Sequence, residues 1–239
     1  MRRALTACLC ALLLMPLGAL AEDNQQDFSP AERLLFMTPQ LQGIKPPARL
    51  HYSFKKTGTH EEGFTDDVTL ALSASADGAC CDAKGTFLTG SHQLQMPDVE
   101  AAKGNPVLMY FLERDVREMK RLTGGSEYHF RKTIRMAIYQ GAQVRDASFE
   151  YQGHAVKGQE IVFSPFLDDP NRPKYEKFVR KSYRFMLSQA VPGGVFGIRT
   201  EIPGEKASDQ PLIVEELFLD GAQPPRASVA EPSHTQPAS

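Results

Sequence analysis

NPVLMYFLERDVREMKRLTGG, residues 105–125, is the stretch of sequence on which the fold depends. Its apolar side chains recur at helical spacing on one stripe, and acid–base pairs four residues apart lie on the opposite side. Asn105 can cap the start of a helix and Gly124 can end it. We therefore predict one strong amphipathic helix over 106–122 that packs on an apolar surface through Leu108, Leu112, Val116 and Met119.

The segment that follows, EYHFRKTIRMAIY at 127–139, has apolar residues at every second position except Lys132. Such alternation favours a half-buried strand. We interpret this segment as the best strand of the chain, with one face formed by Tyr128, Phe130, Ile134, Met136 and Ile138. We expect the apolar face of this strand to pack against the apolar stripe of the helix.

Shorter stretches with the same alternation occur on both sides of the helix. Gln152-Gly153 and the tripeptide 192–194 are typical of hairpin turns. The strand-like segments are 49–55, 68–72, 86–88, 148–151, 159–163, 182–187, 195–202 and 212–219. Together these features predict an α+β fold, in which a curved antiparallel β-sheet (a half-barrel) packs on one main α-helix.

The first 21 residues have the pattern of a cleaved export signal. Arg2 and Arg3 precede an apolar run at 4–14, and small residues occupy the positions before a cut ahead of Glu22. The run is about half the ~20 residues that a membrane span needs, so we expect a protein that does not span the membrane. Periplasmic localisation is expected, with extracellular release as the alternative.

Composition and the residues that end helices and strands divide the chain into four parts. Residues 1–21 are the signal peptide, and 22–47 form an N-terminal extension with a short helix that opens at the capping box Ser29–Glu32. Residues 48–221 are expected to form a single α+β domain. The segment 222–239 is rich in Pro, Ser and Ala and is expected to be a disordered tail.

Charge and residue types narrow the function classes. The formal net charge is −2, and about −4 without the signal, which argues against a nucleic-acid partner. We find no nucleophile elbow, phosphate loop or dinucleotide fingerprint, and His60 lacks the second histidine of a zinc-protease motif. We therefore expect no catalytic residues, no metal and no cofactor, although a hydrolase with dispersed catalytic residues remains an alternative.

Cys80 and Cys81 are the only cysteines beyond the signal peptide, and they are adjacent in sequence. In an oxidising compartment such a pair can close a vicinal disulfide that holds a tight turn. Two alternatives stay open, namely unlinked thiols and a functional pair, such as a redox switch or a soft-metal site.

Two segments are locally basic, residues 114–135 and residues 172–184. Either could form a patch for anionic headgroups or for an acidic partner. The other interpretation is an ordinary solvated surface whose charge is balanced by acids elsewhere.

The order of export signal, short helix, curved strands, covering helix and further strands resembles periplasmic half-barrel carriers of the lipoprotein-chaperone type. Residues 182–199 are also similar to a late hairpin in uncharacterised exported proteobacterial families. The resemblance implies a concave sheet that shelters an acyl chain or a peptide.

From these features we expect an exported, non-catalytic binding or carrier protein for a hydrophobic or amphiphilic ligand, such as a lipid, an acyl chain or a lipoprotein segment. The ligand-facing candidates are Leu108, Leu112, Val116, Met119, Tyr128, Phe130, Ile134 and Met136. The alternative is a structural or assembly factor of the cell envelope that binds a protein partner through Lys174, Lys177, Arg180 and Lys181.

Overall fold

The computed structural model of the chain describes residues 28–76, 78 and 80–225. The short helix α1 (Pro30–Glu32) continues as a π-helical turn (Arg33–Met37), and the two long helices are α2 (Val107–Thr123) and α3 (Glu127–Gly141). The strands are β1 (Ala48–Thr57), β2 (Phe64–Ala74), β3 (Cys80–Phe87), β4 (Gln143–Tyr151), β5 (His154–Phe163), β6 (Ser182–Leu187), β7 (Val195–Ile202), β8 (Ile213–Leu219) and β9 (Ala222–Gln223).

These nine strands form one antiparallel sheet in the order β3-β2-β1-β8-β7-β6-β5-β4-β9. Side chains alternate between its faces, so that Leu50, Tyr52 and Phe54 of β1 are buried while Arg49 and Ser53 are exposed. Helix α2 lies on the buried face, where the Arg114 guanidinium is 4.9 Å from the centre of the Phe54 ring. The predicted fold class, a curved antiparallel sheet covered by helix, is confirmed.

Local sequence signals explain where the first two helices begin. Ser29 and Glu32 form the predicted capping box, with a Ser29 N to Glu32 Oε2 hydrogen bond of 2.9 Å. Asn105 Oδ1 accepts from the Val107 N–H at 3.1 Å, and the Asn105 amide also donates to the Tyr52 hydroxyl at 2.8 Å. The start of α2 is thereby tied to β1. The helix ends at Gly124, whose φ of 69° suits glycine.

The predicted strand at 127–139 is wrong, because this segment is helix α3. Phe130, Ile134 and Ile138 follow one another at four-residue spacing and are buried together. Tyr128 and Met136, placed on the same face by the strand prediction, are 73% and 38% exposed. A spacing of four residues fits the two-residue period of a strand and also lies close to the 3.6-residue period of a helix, so this pattern is typical of both. The sheet therefore packs on two main helices, where one was predicted.

Several other predictions concern the ends of the chain. The signal peptide at 1–21 and residues 226–239 of the expected tail lie outside the described residues. Ala222 and Gln223, which the sequence assigned to the tail, instead pair with Tyr151 and Glu150 as an edge strand. Within the described residues no helix is long and apolar enough to cross a membrane.

Truncation of Phe130 and of Tyr128, each in its own variant, distinguishes a helix at 127–141 from the strand that the sequence predicted. We expect Phe130→Ala to lower the free energy of unfolding by about 3–5 kcal/mol, because Phe130 is fully buried against Phe166 and Tyr175. Tyr128→Ala should change it by less than about 0.5 kcal/mol, because that ring is exposed. Urea unfolding of both variants measures the difference, and similar large losses for the two would restore the strand.

Candidate functional site

The predicted ligand-facing residues divide into two groups. Six of them lie in one hydrophobic cluster between the helices and the sheet, with exposed fractions of 0–7%; they are Leu108, Leu112, Val116, Met119, Phe130 and Ile134. Tyr128 and Met136 point outward from α3 and do not reach this interior. Because the six are enclosed by neighbouring atoms, the interior is packed as a core in this conformation.

A groove of about 250 Å³ lies at the edge of that interior, where the N-terminal helical segment meets β5 and the end of β6. Leu187 in its wall is part of the hydrophobic core, and the partly buried Leu34 packs against that core. The exposed Lys157 also lines it and forms no ion pair among the described residues. The volume is just below the ~300 Å³ at which small-molecule sites begin, so the groove can hold only part of a lipid chain.

A second groove, of about 290 Å³, is lined by Cys80 together with Leu41, Ala102 and Lys103. The sulfur atoms of Cys80 and Cys81 are joined as a vicinal disulfide. Cys81 is fully buried and Cys80 partly so, which makes Cys80 the half of the pair that faces the groove.

A cluster of buried charges lies between α2 and the sheet, and the sequence analysis did not find it. Asp115 of α2 is fully buried and accepts hydrogen bonds from the Lys181 ammonium and the Tyr183 hydroxyl. Burial, together with the nearby Glu215 carboxylate, raises the pKa of Asp115 despite the Lys181 cation. Burial also raises the pKa of Tyr183, so its hydroxyl keeps the proton that it donates.

The second centre of this cluster is Glu215 of β8, which is also fully buried. Its Oε1 is 2.6 Å from Arg114 Nη1 and 3.8 Å from Lys56 Nζ, and its Oε2 lies 3.4 Å from the Thr200 hydroxyl. Burial works against the charge on Glu215, but Arg114 and Lys181 offset it and lower the pKa of the carboxyl group. Glu215 is therefore held as an anion among the three cations Arg114, Lys56 and Lys181.

The cluster reaches solvent through Glu118 and Glu61. Lys56 Nζ is 2.6 Å from Glu118 and 2.9 Å from Glu61, and Arg121 bridges the same two carboxylates at 2.8 and 2.7 Å. Burial opposes the charge on Glu118, yet Arg121, Arg114 and Lys56 together hold its pKa well below the usual range. Each buried charge has an opposite partner, as burial of charges requires.

Two sequence signals could have revealed this cluster. Lys56 follows Leu50, Tyr52 and Phe54 on the inward parity of β1, and the strand prediction stopped one residue earlier. Asp115 directly precedes Val116 of the buried stripe and follows Leu112 of that stripe by three residues, which puts it beside the buried face of the helix. The ion-pair partner of Asp115, Lys181, lies 66 residues away in sequence, so no local pattern contains both members of the pair.

The basic segment at 172–184 was open to two interpretations, a docking patch and an ordinary solvated surface, and two of its cations have structural roles. Lys181 is buried on Asp115, and Arg180 donates to the Gly204 carbonyl, so both have structural roles. Lys174 and Lys177 are exposed. Charge reversal of all four residues would therefore test stability as well as docking.

A histidine–carboxylate pair joins α3 to the loop after β5. His129 Nε2 is 2.7 Å from Asp169 Oδ2 and 3.5 Å from the Tyr175 hydroxyl, while the Asn171 N–H donates to Asp169 Oδ1 at 2.7 Å. Among the described residues no set of three or more His, Cys, Asp or Glu side chains is arranged to hold a metal ion. The pair fixes the loop against the helix.

Removal of one partner from the Asp115–Lys181 pair should cost much more than removal of an exposed lysine. We expect Lys181→Ala to lower the free energy of unfolding by about 3–5 kcal/mol, because Asp115 is left buried without its cation. The exposed Lys177→Ala is the matched control, expected within about 0.5 kcal/mol of the wild type. In urea unfolding, the double variant Asp115→Leu/Lys181→Met should lose less than Lys181→Ala; equal small losses for both single variants would contradict the account.

The lowered pKa of Glu118 predicts a loss of stability in acid. Its ordinary value is 4.5, and a folded-state pKa below this gives a stabilisation that is complete above about pH 4.5 and is lost as the pH falls toward the folded-state value. Between pH 6 and pH 3.5 the wild type should lose roughly 1 kcal/mol more than Glu118→Gln. Urea midpoints at the two pH values measure this, with the exposed Glu62→Gln as control. A Glu118→Gln loss equal to that of the wild type would refute the ion pairs.

Comparison with known proteins assigns no family to the chain. No family model matches the chain, and no curated protein matches it. Among solved structures, the fold is similar to that of the lipoprotein LppX of Mycobacterium tuberculosis, with a TM-score of 0.34 and 8% sequence identity over 82% of this chain and 95% of that chain. A likeness of this degree carries no information on function. The resemblance to periplasmic lipoprotein carriers stays a prediction.

Proposed function

We propose that the protein is an exported, non-catalytic carrier that binds the acyl chain of an anionic amphiphile between its sheet and helices α2 and α3. The observation that carries the proposal is the groove whose wall includes Leu34 and Leu187. Leu187 belongs to the core and Leu34 packs against it, and the exposed Lys157 in the same groove forms no ion pair among the described residues. An acyl chain fits the wall, and a carboxylate or phosphate headgroup fits the lysine.

Binding requires the interior to expand, because the groove itself is small and the side chains behind it are packed. The sheet can stay intact during such an expansion, because all strand-to-strand hydrogen bonds lie within it. Among the described residues α3 forms no ion pair with a strand and can move most easily, whereas movement of α2 also breaks its ion pairs with Glu215 and Lys181. A chain that entered past Leu187 would replace helix side chains as the apolar partner of the sheet, and little apolar surface would be lost to water.

The absence of a reactive pair in either groove supports a carrier over a hydrolase. In the described residues that line the two grooves, the Ser188 hydroxyl donates to the Lys157 backbone carbonyl, and Cys80 is tied to Cys81. Neither group has a basic side chain as hydrogen-bond partner. The export signal expected at 1–21 supports a site of action outside the cytoplasm.

A photoreactive fatty acid tests the proposal. The purified protein is incubated with a diazirine-bearing palmitate below its micelle concentration, irradiated and digested for mass spectrometry. We expect one saturable adduct near Leu34, Leu187 or the buried stripe of α2, which unlabelled palmitate removes by competition. Lys157→Gln should weaken the apparent affinity about fivefold, as expected for loss of a partly exposed ion pair.

The control is Lys55→Gln, which removes an exposed lysine from the opposite face of the sheet. Adducts only at outward residues such as Tyr128 or Tyr139, or no saturable adduct at all, would refute an interior site. Lipid analysis of an extract of the purified protein adds an independent readout, since a carrier is expected to retain an amphiphile from its host.

A further inference from the structure

We propose that the outer face of α3, together with the adjoining loop at 172–177, is a docking surface for an anionic phospholipid bilayer. This inference does not depend on the carrier function, because it concerns the outside of the helix.

The outward ridge of α3 has an unusual composition. Helical spacing puts five exposed residues on one ridge, opposite the buried side chains of the same helix; they are Tyr128, Lys132, Arg135, Met136 and Tyr139. Tyr128 is 73% exposed and Tyr139 is 47% exposed. The ridge contains no acid. Three large apolar side chains interleaved with two cations on a solvent-facing ridge offer both apolar and positive groups to a partner.

The two cations on this ridge are available to a partner. Lys132 and Arg135 form no ion pair among the described residues, whereas the neighbouring Arg131 is held by Glu113 at 2.9 Å. Further positive charge comes from the loop, where Arg172, Lys174 and Lys177 are exposed. Two exposed acids in this region, Asp168 and Glu176, reduce the charge without cancelling it, so the surface is positive overall.

Specific contacts hold the loop beside the ridge. The Asp169–His129 hydrogen bond ties it to α3, and the rings of Phe166 and Tyr175 pack edge-on against Phe130 at 5.7 Å. Leu167, which is 45% exposed, lies five residues before the start of this loop, in the same connection between β5 and β6. The aromatic and cationic groups are therefore presented on a rigid support.

The chemistry of this surface matches a bilayer interface. Tyrosine rings are amphipathic and settle at headgroup level, and lysine and arginine extend to the phosphates with their stems along apolar chains. Neutralisation of cations near an anionic membrane is expected to weaken binding by about fivefold per charge. A protein partner with an acidic face is the competing occupant. Binding to vesicles that contain lipid alone separates the two.

Vesicle co-sedimentation tests the proposal with the full chain. Binding is measured to vesicles of equal parts phosphatidylcholine and phosphatidylglycerol, and to vesicles of phosphatidylcholine alone. We expect binding to the anionic vesicles that falls about 25-fold in Lys132→Gln/Arg135→Gln, and also falls in Tyr128→Ser/Tyr139→Ser. The matched control is Arg49→Gln/Lys55→Gln, which removes the same charge from the exposed face of β1 and should bind like the wild type.

Absence of binding to anionic vesicles would overturn the proposal, as would equal losses for the ridge and control variants. A ridge variant that binds like the wild type would also overturn it. If only the charge variant weakens binding and the tyrosine variant does not, the tyrosines do not enter the headgroup region, and the proposed docking of the ridge at the bilayer interface is wrong. Fatty-acid labelling of the interior uses no vesicles, so either proposal can fail alone.

Discussion

The packing of α2 on one face of the sheet is the interaction on which the rest of the structure depends. The apolar stripe of α2 provides the buried apolar area, and the ion pairs of Arg114, Asp115 and Glu118 fix the position of the helix on the sheet. A shift of α2 by one turn would leave Asp115 or Glu215 buried without a cation, which costs several kcal/mol. Hydrophobic contact alone is not directional, so the ion pairs decide where the helix lies.

Helix α3 depends on that placement and gives the molecule two chemically distinct sides. Its inner residues Phe130 and Ile134 complete the core that α2 begins, and its outer ridge is aromatic and cationic. In the two proposals these sides have different partners, an acyl chain within and a bilayer surface outside. The opposite face of the strands β1 and β2 is mostly polar and solvated.

Much of the architecture could be predicted from local patterns, and the exceptions have physical causes. The helix at 106–122 lies within one residue of α2, because a cap, an apolar stripe and a terminal glycine agree there. Most strands were located from alternation, whereas α3 was misassigned because its four-residue spacing mimics alternation. Six of the eight ligand-facing candidates do share one interior. The charge cluster was missed because its members are paired across the fold, between residues such as Asp115 and Lys181, and a single sequence does not show such pairs.

Native-state hydrogen exchange measures most directly whether helices α2 and α3 can open while the sheet stays intact. The account predicts that amides of α2 and α3 lose protection together, at a lower opening free energy than those of β6, β7 and β8. It also predicts that Lys181→Met with Asp115→Leu changes the helix opening more than the sheet opening. Equal opening free energies for helices and central strands would mean that the domain opens only as a whole, and would contradict the account.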